Sequence, residues 1–394
     1  MNFMHQILKD GVVMNNKFKN PSKENVLILT LVWDFGGTKI FLKQNVNVFF
    51  KNKNMFILEQ YGDKFIITNL SNLNVTHQIN ANAEDLSKLI KILNIKSIFV
   101  NHLITFDLQL IMNWILNSKL PFDMFLHDYF CICANYNIDC FTKFCSENMD
   151  NPICRKYFSD PRVRLPNVSV ENWRQVFHQF MSRASNIYTP SEYTANIIKK
   201  FYPDLNIKSK PHYLSLPLKK TFKRVFVERE KIRIVFLGHI YKNKGTEYLL
   251  LANEYVKQNH LPIEFLVLGI YDDDLQIGTK EGIKFLGKYD NEKISEILNE
   301  LEVAIVATMS TLFETYCYTA SEAILSGYPV IALNMGAHSL RIAKHDCGWL
   351  IPINSPSHGL EEFKHFLHFI VTDEGRQQIL LKAKNTKKFK NGMD

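Results

Sequence analysis

The chain has 394 residues, 46% of them hydrophobic and 22% charged, with a formal net charge of +8. That balance excludes a disordered chain, and the length leaves room for two or three domains, each with its own core. No apolar run reaches the roughly 18 residues needed to span a bilayer, and the N-terminal "MNFMHQILKDGVVMNNKFKN" lacks the apolar core of a secretory signal, so a cytoplasmic protein is expected.

Residues 1–24 are polar and rich in Asn and Lys, and read as a flexible lead-in. "NVLILTLV" is an apolar run of strand length, and "WDFGGTKIFLKQ" continues it through a Gly36–Gly37 turn into a helix. Two short apolar runs follow, "MFILEQY" and "KFIITNL". Next come a helix in "AEDLSKLIKILN", a strand in "SIFVNHLI", a helix in "DLQLIMNWILNSKL" and a strand in "FDMFLHDYF". Strands alternating with helices predict a parallel, doubly wound sheet.

Residues 131–165 interrupt that rhythm and hold Cys131, Cys133, Cys140, Cys145 and Cys154. Structural zinc favours paired C-x-x-C knuckles, and none occurs, so these five read as thiols of an irregular insertion in a reducing compartment. The alternation resumes with helix "VENWRQVFHQFMSRAS", strand "NIYTPS" and helix "EYTANIIKKFY", where Ser191 is placed to cap a helix starting at Glu192. Residues 215–231 are charged and weakly periodic, which predicts a linker between a domain over 25–214 and a second over 232–372. A C-terminal helix and basic tail occupy 373–394.

The second series opens with strand "IRIVFLGHI", then helix "GTEYLLLANEYVKQ", strands "IEFLVLGI" and "IKFLGKY", helix "NEKISEILNEL" and strand "VAIVATM". A helix beginning near Thr319, strand "PVIALNMG", helix "SLRIAKHD", strand "WLIP" and two terminal helices complete it. Two α/β series of similar size predict two Rossmann-like domains with parallel sheets facing a cleft. Ligands of such sheets bind outside the carboxyl ends of the strands.

Four features lie at such strand ends. In "GHIYKNKG", residues 238–245, a glycine lets a phosphate approach the backbone and Lys244 supplies a point charge before the next helix. Beyond "VAIVATM" lies Glu314, and seven residues separate it from Glu322. The run "TASE" fits a capping box with Thr319 as N-cap and Glu322 at the third helical position. Glu322 could equally accept two hydrogen bonds from the adjacent hydroxyls of a ribose, with the helix N-terminus suited to a diphosphate. Residue spacing leaves capping and binding both open. The remaining two features are Gly36–Gly37 after the first strand, and His127 with Asp128 at the end of "FDMFLHDYF".

The Glu pair, the following "AILSGYPVIA" and "NMGAHSLRIAKHDCGWLIP", and the opening "FLGHIYKNKG" together resemble the donor site of family 4 glycosyltransferases. The resemblance covers residues 232–353 strongly and the N-terminal half more loosely. It implies the GT-B fold and sugar transfer from a nucleotide-diphosphate sugar to a hydroxyl of a glycan or lipid-linked glycan, with retention of anomeric configuration. It also implies cell-surface polysaccharide or O-antigen assembly. By that resemblance Glu322 binds ribose, Glu314 lies by the donor sugar and Lys244 binds diphosphate, aided by Gly238 and the backbone at Tyr318 and Thr319. Gly36 and Gly37 face the donor or acceptor, and His127 lies at the sugar. His239 stands where the family often has an arginine, which leaves one cation fewer for the diphosphate, and Leu340 stands near a common acidic position. The family implies no divalent metal and no resident cofactor.

Between Lys199 and Arg233 eleven Lys or Arg face three acids, and the C-terminal "KAKNTKKFKNGMD" is also basic. Such runs are usually solvated faces; the sharper expectation is peripheral contact with anionic lipid on the inner face of a membrane. No nucleic-acid recognition motif accompanies them. Two other readings remain at this stage, a GT-B epimerase with extra acid/base groups and a non-catalytic scaffold subunit.

Overall fold

The computed structural model describes residues 23–33, 36–70, 76–134, 136, 169–214, 230–271 and 282–389. Most of the lead-in, most of the linker, the segment holding Cys140, Cys145 and Cys154, and the last five residues lie outside the described residues. The chain divides into two compact units, the described residues up to Tyr213 in one and those from Leu214 in the other.

The first unit carries eight strands: β1 (Asn25–Leu29), β2 (Asn54–Tyr61), β3 (Lys64–Asn69), β4 (Thr76–Asn80), β5 (Ile95–Val100), β6 (Phe122–Phe125), β7 (Asn186–Thr189) and β8 (Ile207–Ser209). Their order in the sheet is β4-β3-β2-β1-β5-β6-β7-β8. Strands β2, β1 and β5 to β8 run parallel, as expected, and β3 alone is reversed, pairing antiparallel with β2 on one side and β4 on the other. Local geometry decides this. Tyr61 pairs with Lys64 across a two-residue turn, and a parallel neighbour needs a crossover of about a dozen residues.

Five helices flank the sheet: α1 (Gly37–Phe49), α2 (Ala83–Ile92), α3 (Leu108–Ser118), α4 (Val170–Met181) and α5 (Glu192–Phe201). Side chains of Asn82, Asp107, Ser169 and Ser191 accept the first free amides of α2 to α5, so Ser191 caps where the sequence placed it. Phe41 of α1 packs on Phe99 of β5 and Phe125 of β6. Burial of each such ring stabilises the unit by about 1.5–3 kcal/mol.

The second unit is a parallel six-stranded sheet of β9 (Ile232–Ile240), β10 (Ile263–Tyr271), β11 (Ile283–Phe285), β12 (Ile305–Thr308), β13 (Val330–Leu333) and β14 (Gly348–Ile351), in the order β11-β10-β9-β12-β13-β14. Its helices are α6 (Thr246–Gln258), α7 (Ile294–Glu300), α8 (Tyr318–Leu325), α9 (Ala337–His345), α10 (Pro356–Ile370) and α11 (Asp373–Asn385). Along β9, Ile232, Ile234 and Phe236 enter one core cluster while Val235 and Leu237 enter another. A strand buried on both faces reads as one apolar run, which is why this strand was visible in the sequence. Helix α11 belongs with this sheet. Its Asn385 amide donates to the carbonyl of Asp346 at 3.0 Å, tying it to the end of α9.

Each sheet has a point where the winding reverses. In the first unit the chain goes from β1 outward to β2 and then returns to β5; in the second it goes from β9 to β10 and returns to β12. The carboxyl ends of β1 and β5, and of β9 and β12, therefore diverge into open crevices, the places where doubly wound sheets bind ligands. No described helix is long and apolar enough to cross a membrane.

Candidate active site

The crevice between β9 and β12 holds a polar cluster. After β9 a short 3-10 turn, Lys242–Lys244, lifts Lys244 toward the loop that follows β12. That loop is pinned to the turn, since the Thr311 amide donates to the Asn243 carbonyl at 3.0 Å. The Lys244 ammonium pairs with Oε1 of Glu314, and the Ser310 hydroxyl donates to the same oxygen at 2.9 Å. Lys244 keeps 28% of its side chain exposed and Glu314 13%, so the pair is largely covered.

Burial alone would raise the Glu314 carboxyl and lower the Lys244 ammonium. Mutual attraction outweighs burial for both, so Glu314 sits below its ordinary value and Lys244 above its own. The α9 N-terminus holds the glutamate backbone: the Ala337 amide donates to the Glu314 carbonyl at 2.7 Å. Gly336, at φ 78°, makes that approach possible, since a Cβ there would stand 3.0 Å from the Glu314 nitrogen. His338, the next helical residue, is fully buried. Its pKa is depressed to about 4, chiefly by burial, with Glu314 opposing and Arg341 and Lys244 assisting.

Helix α8 begins at Tyr318, and its N-cap is Cys317 at φ 62° with no side-chain cap, two residues before the N-cap expected at Thr319. Thr319 is therefore the second helical residue and Glu322 the fifth. The predicted capping box does not form, because a carboxylate that far into the helix cannot fold back to the N-cap amide. Glu322 instead points toward the loop after β11, where the Tyr289 hydroxyl donates to Oε2 at 2.9 Å and the Asn291 amide to Oε1. It is 1% exposed. Burial raises its pKa above the ordinary value, against the two donors.

Gly238, at φ 104°, lies two residues before the end of β9; a Cβ there would meet Thr319 Cγ2 at 2.8 Å, so this glycine lets the strand touch the first turn of α8. Tyr318 and Thr319 are half-buried at that turn, the Tyr318 ring lying 4.9 Å from that of Tyr316. His239 is exposed, its ring 5.1 Å from that of Tyr241. Arg341 is turned inward: its guanidinium donates to the Tyr316 carbonyl and the Ser321 hydroxyl and lies over the Tyr316 ring. It fixes the loop ahead of α8.

Gly36, Gly37 and His127 belong to the first unit. Gly36 is the N-cap of α1 at φ 95°. His127 lies two residues beyond β6, is 8% exposed, and stacks 4.5 Å from Phe125. Its Nε2 shares a 2.8 Å hydrogen bond with Asn101 Oδ1, while the Asn101 amide donates to Thr30. That network assigns the ring proton to Nε2, and burial first, then His212 and His102, push the pKa well below 6.5, so the ring is neutral. Asp128 accepts from His102 at 2.8 Å and from the Phe130 amide at 3.0 Å. Cys131 and Cys133 are buried.

The structure thus brings Lys244, Glu314, Gly238 and Thr319 together at one crevice, with Glu322 further along α8. Sequence reading missed His338, Ser310, Tyr289 and Asn291. A signal existed for the last two: "FLGKYDN" is a polar loop behind a strand and a glycine, at the ligand-binding end of the sheet.

Residues 219–380 match the family profile described as glycosyl transferases group 1. An uncharacterised glycosyltransferase of Methanocaldococcus jannaschii is 26% identical over 170 residues, covering 41% of this chain. A 41.2 kDa protein of the cps region of Klebsiella pneumoniae is 28% identical over 144 residues, covering 36%. The matched stretches span only 42% and 39% of those relatives' own lengths. The crystal structure of HepE from Anabaena in complex with UDP-glucose superposes with a TM-score of 0.58 at 15% identity, over 92% of this chain and 93% of that one. The fold is the two-Rossmann-unit GT-B class.

Proposed function

We propose that this protein is a glycosyltransferase that moves a hexosyl or deoxyhexosyl group from a nucleoside-diphosphate sugar to a hydroxyl of a glycan or lipid-linked glycan, with retention of configuration. The observation that carries the reading is the Lys244–Glu314 pair at the β9/β12 crevice, beside the N-terminus of α8, in the segment that matches the glycosyltransferase profile. A diphosphate leaving group needs positive charge, and Lys244 with the positive N-terminal end of α8 supplies it without a divalent ion. In the retaining step the bond from the anomeric carbon to the diphosphate oxygen breaks and the acceptor oxygen bonds to the same face. The acceptor proton passes to the departing oxygen, so no strong protein base is required. The neutral, enclosed ring of His127 fits that scheme better than a role as base. Glu314 is the group to accept a hydrogen bond from the donor sugar, and Glu322 the group for ribose.

The HepE complex with UDP-glucose supports a nucleotide-sugar donor, and the proposed setting is cell-surface polysaccharide assembly, of the O-antigen or lipopolysaccharide type. Basic residues of α5, Lys199 and Lys200, would meet an anionic inner membrane face carrying the acceptor. The test is incubation with a panel of nucleotide sugars, with and without glycan acceptors and with a chelator present, following nucleoside diphosphate release and product anomer. Acceptor-dependent release that survives chelation and is lost in Glu314→Gln supports the reading. Failure of every nucleotide sugar to bind at millimolar concentration sinks it, and acceptor-independent interconversion favours an epimerase.

A further inference from the structure

Glu322 has almost no accessible surface, and two side chains from the loop after β11 close over it. Tyr289 holds one carboxylate oxygen through its hydroxyl and Asn291 holds the other through its amide. Both side chains are only half-buried, so they stand between the carboxylate and solvent, and their loop leaves β11 through Gly287 at φ 76°. An acceptor enclosed in this way receives a new donor only when an old one leaves. Both present donors are neutral, and one is an O–H, the same chemistry as the two hydroxyls of a ribose. A ligand with adjacent hydroxyls can replace both at little cost, one bond for one bond. A ligand without them would leave a buried carboxylate bare, so it leaves Tyr289 and Asn291 in place.

We propose that Tyr289 and Asn291 are specificity-determining stand-ins for a vicinal diol: they occupy both oxygens of Glu322 in the nucleotide-free protein, and a ligand gains that carboxylate only by returning two hydroxyl donors. The inference rests on the nucleotide-sugar reading above and adds the two residues that select ribose.

Calorimetric titration of the full chain with uridine diphosphate and 2′,3′-dideoxyuridine diphosphate tests it, with the adenosine and guanosine pairs run in parallel. In Tyr289→Phe the ribonucleotide no longer has to displace the hydrogen bond that the Tyr289 hydroxyl donates to the carboxylate, so its affinity rises about tenfold. The dideoxy form is unchanged. Asn291→Ala shifts the pair in the same direction, and melting curves without nucleotide confirm that both variants fold. Weaker or unchanged ribonucleotide binding, or equal shifts for both forms, overturns the inference and leaves the transferase reading intact. If no nucleoside diphosphate binds the unsubstituted protein at millimolar concentration, the reading and the inference fall together.

Discussion

Lys244→Met keeps the length of the side chain and removes the ammonium facing Glu314, which separates what the pair does for stability from what the cation does for catalysis. Removing one partner of a fully buried pair costs about 3–5 kcal/mol, because the other charge is left without compensation. Here 28% and 13% of the two side chains remain exposed, and the Ser310 hydroxyl still donates to Glu314, so about 2–3 kcal/mol is the expected loss. For a unit of this size that is a fall in melting temperature of roughly 5–10 °C. In the double variant Lys244→Met/Glu314→Gln no charge is stranded, and at least half of the loss returns. Turnover behaves differently. Both variants lack the cation for the departing diphosphate, and kcat/KM stays about 10²–10³ below the unsubstituted protein in each. The pH dependence has a defined sign. The Glu314 carboxyl is held below the ordinary 4.5, so its stabilisation is fully present above that pH and disappears as pH falls through the lower folded value. Lys244→Met lacks this acid loss. Calorimetric melting and steady-state kinetics check all of it. A double variant as unstable as the sum of its single variants means that the pair contributes no coupling, and the electrostatic account of this crevice is then wrong.

His338 predicts a second acid effect at higher pH. Its pKa of about 4 in the folded chain, against 6.5 for a free histidine, means the unfolded chain takes up the proton first. Stability therefore falls between pH 6.5 and 4, by about 3 kcal/mol in total, and His338→Gln flattens that slope in melts recorded across the range. Gly336→Ala forces a Cβ to 3.0 Å from the Glu314 nitrogen at a positive φ, costs roughly 1–3 kcal/mol, and lowers turnover by displacing the carboxylate. Unchanged melting and turnover in that variant would show that the α9 N-terminus does not position Glu314.

Most of the architecture was legible because buried parallel strands are written as unbroken apolar runs. "IRIVFLGHI" became β9 residue for residue, and "IEFLVLGI" became β10 with one residue added. What escaped was pairing direction and short strands. The two-residue Gly62–Asp63 turn between "MFILEQY" and "KFIITNL" was the local signal for an antiparallel hairpin, and the alternation elsewhere masked it. Strands β4 and β8 have only five and three residues and little apolar content, so no periodicity marks them. The site divides in the same way. Lys244 and Glu314 were visible as residues at strand ends, but their contact spans 70 positions and depends on which strands are neighbours. His338 gave no signal of its own, because burial beneath the α9 N-terminus is a property of the packed chain.

The Glu314 and Glu322 spacing looks in the sequence like one motif with one purpose, and the structure separates the two carboxylates. Glu314 lies in a loop against a cation and is pushed down; Glu322 lies in a helix against neutral donors and is pushed up. Carboxylates whose surroundings drive their pKa values apart are suited to different tasks. Under the proposed function, a diphosphate drawn to Lys244 competes with Glu314 for the same ammonium. The glutamate that loses its partner is then a free acceptor beside the sugar. The ion pair therefore keeps Lys244 in place and Glu314 ionised until a donor arrives, which is why removing both charges is expected to return at least half of the lost stability and none of the turnover. Glu322 carries no such linkage to a cation. Its neutral partners can be exchanged for neutral hydroxyls, which is the trade a ribose can make and a phosphate cannot.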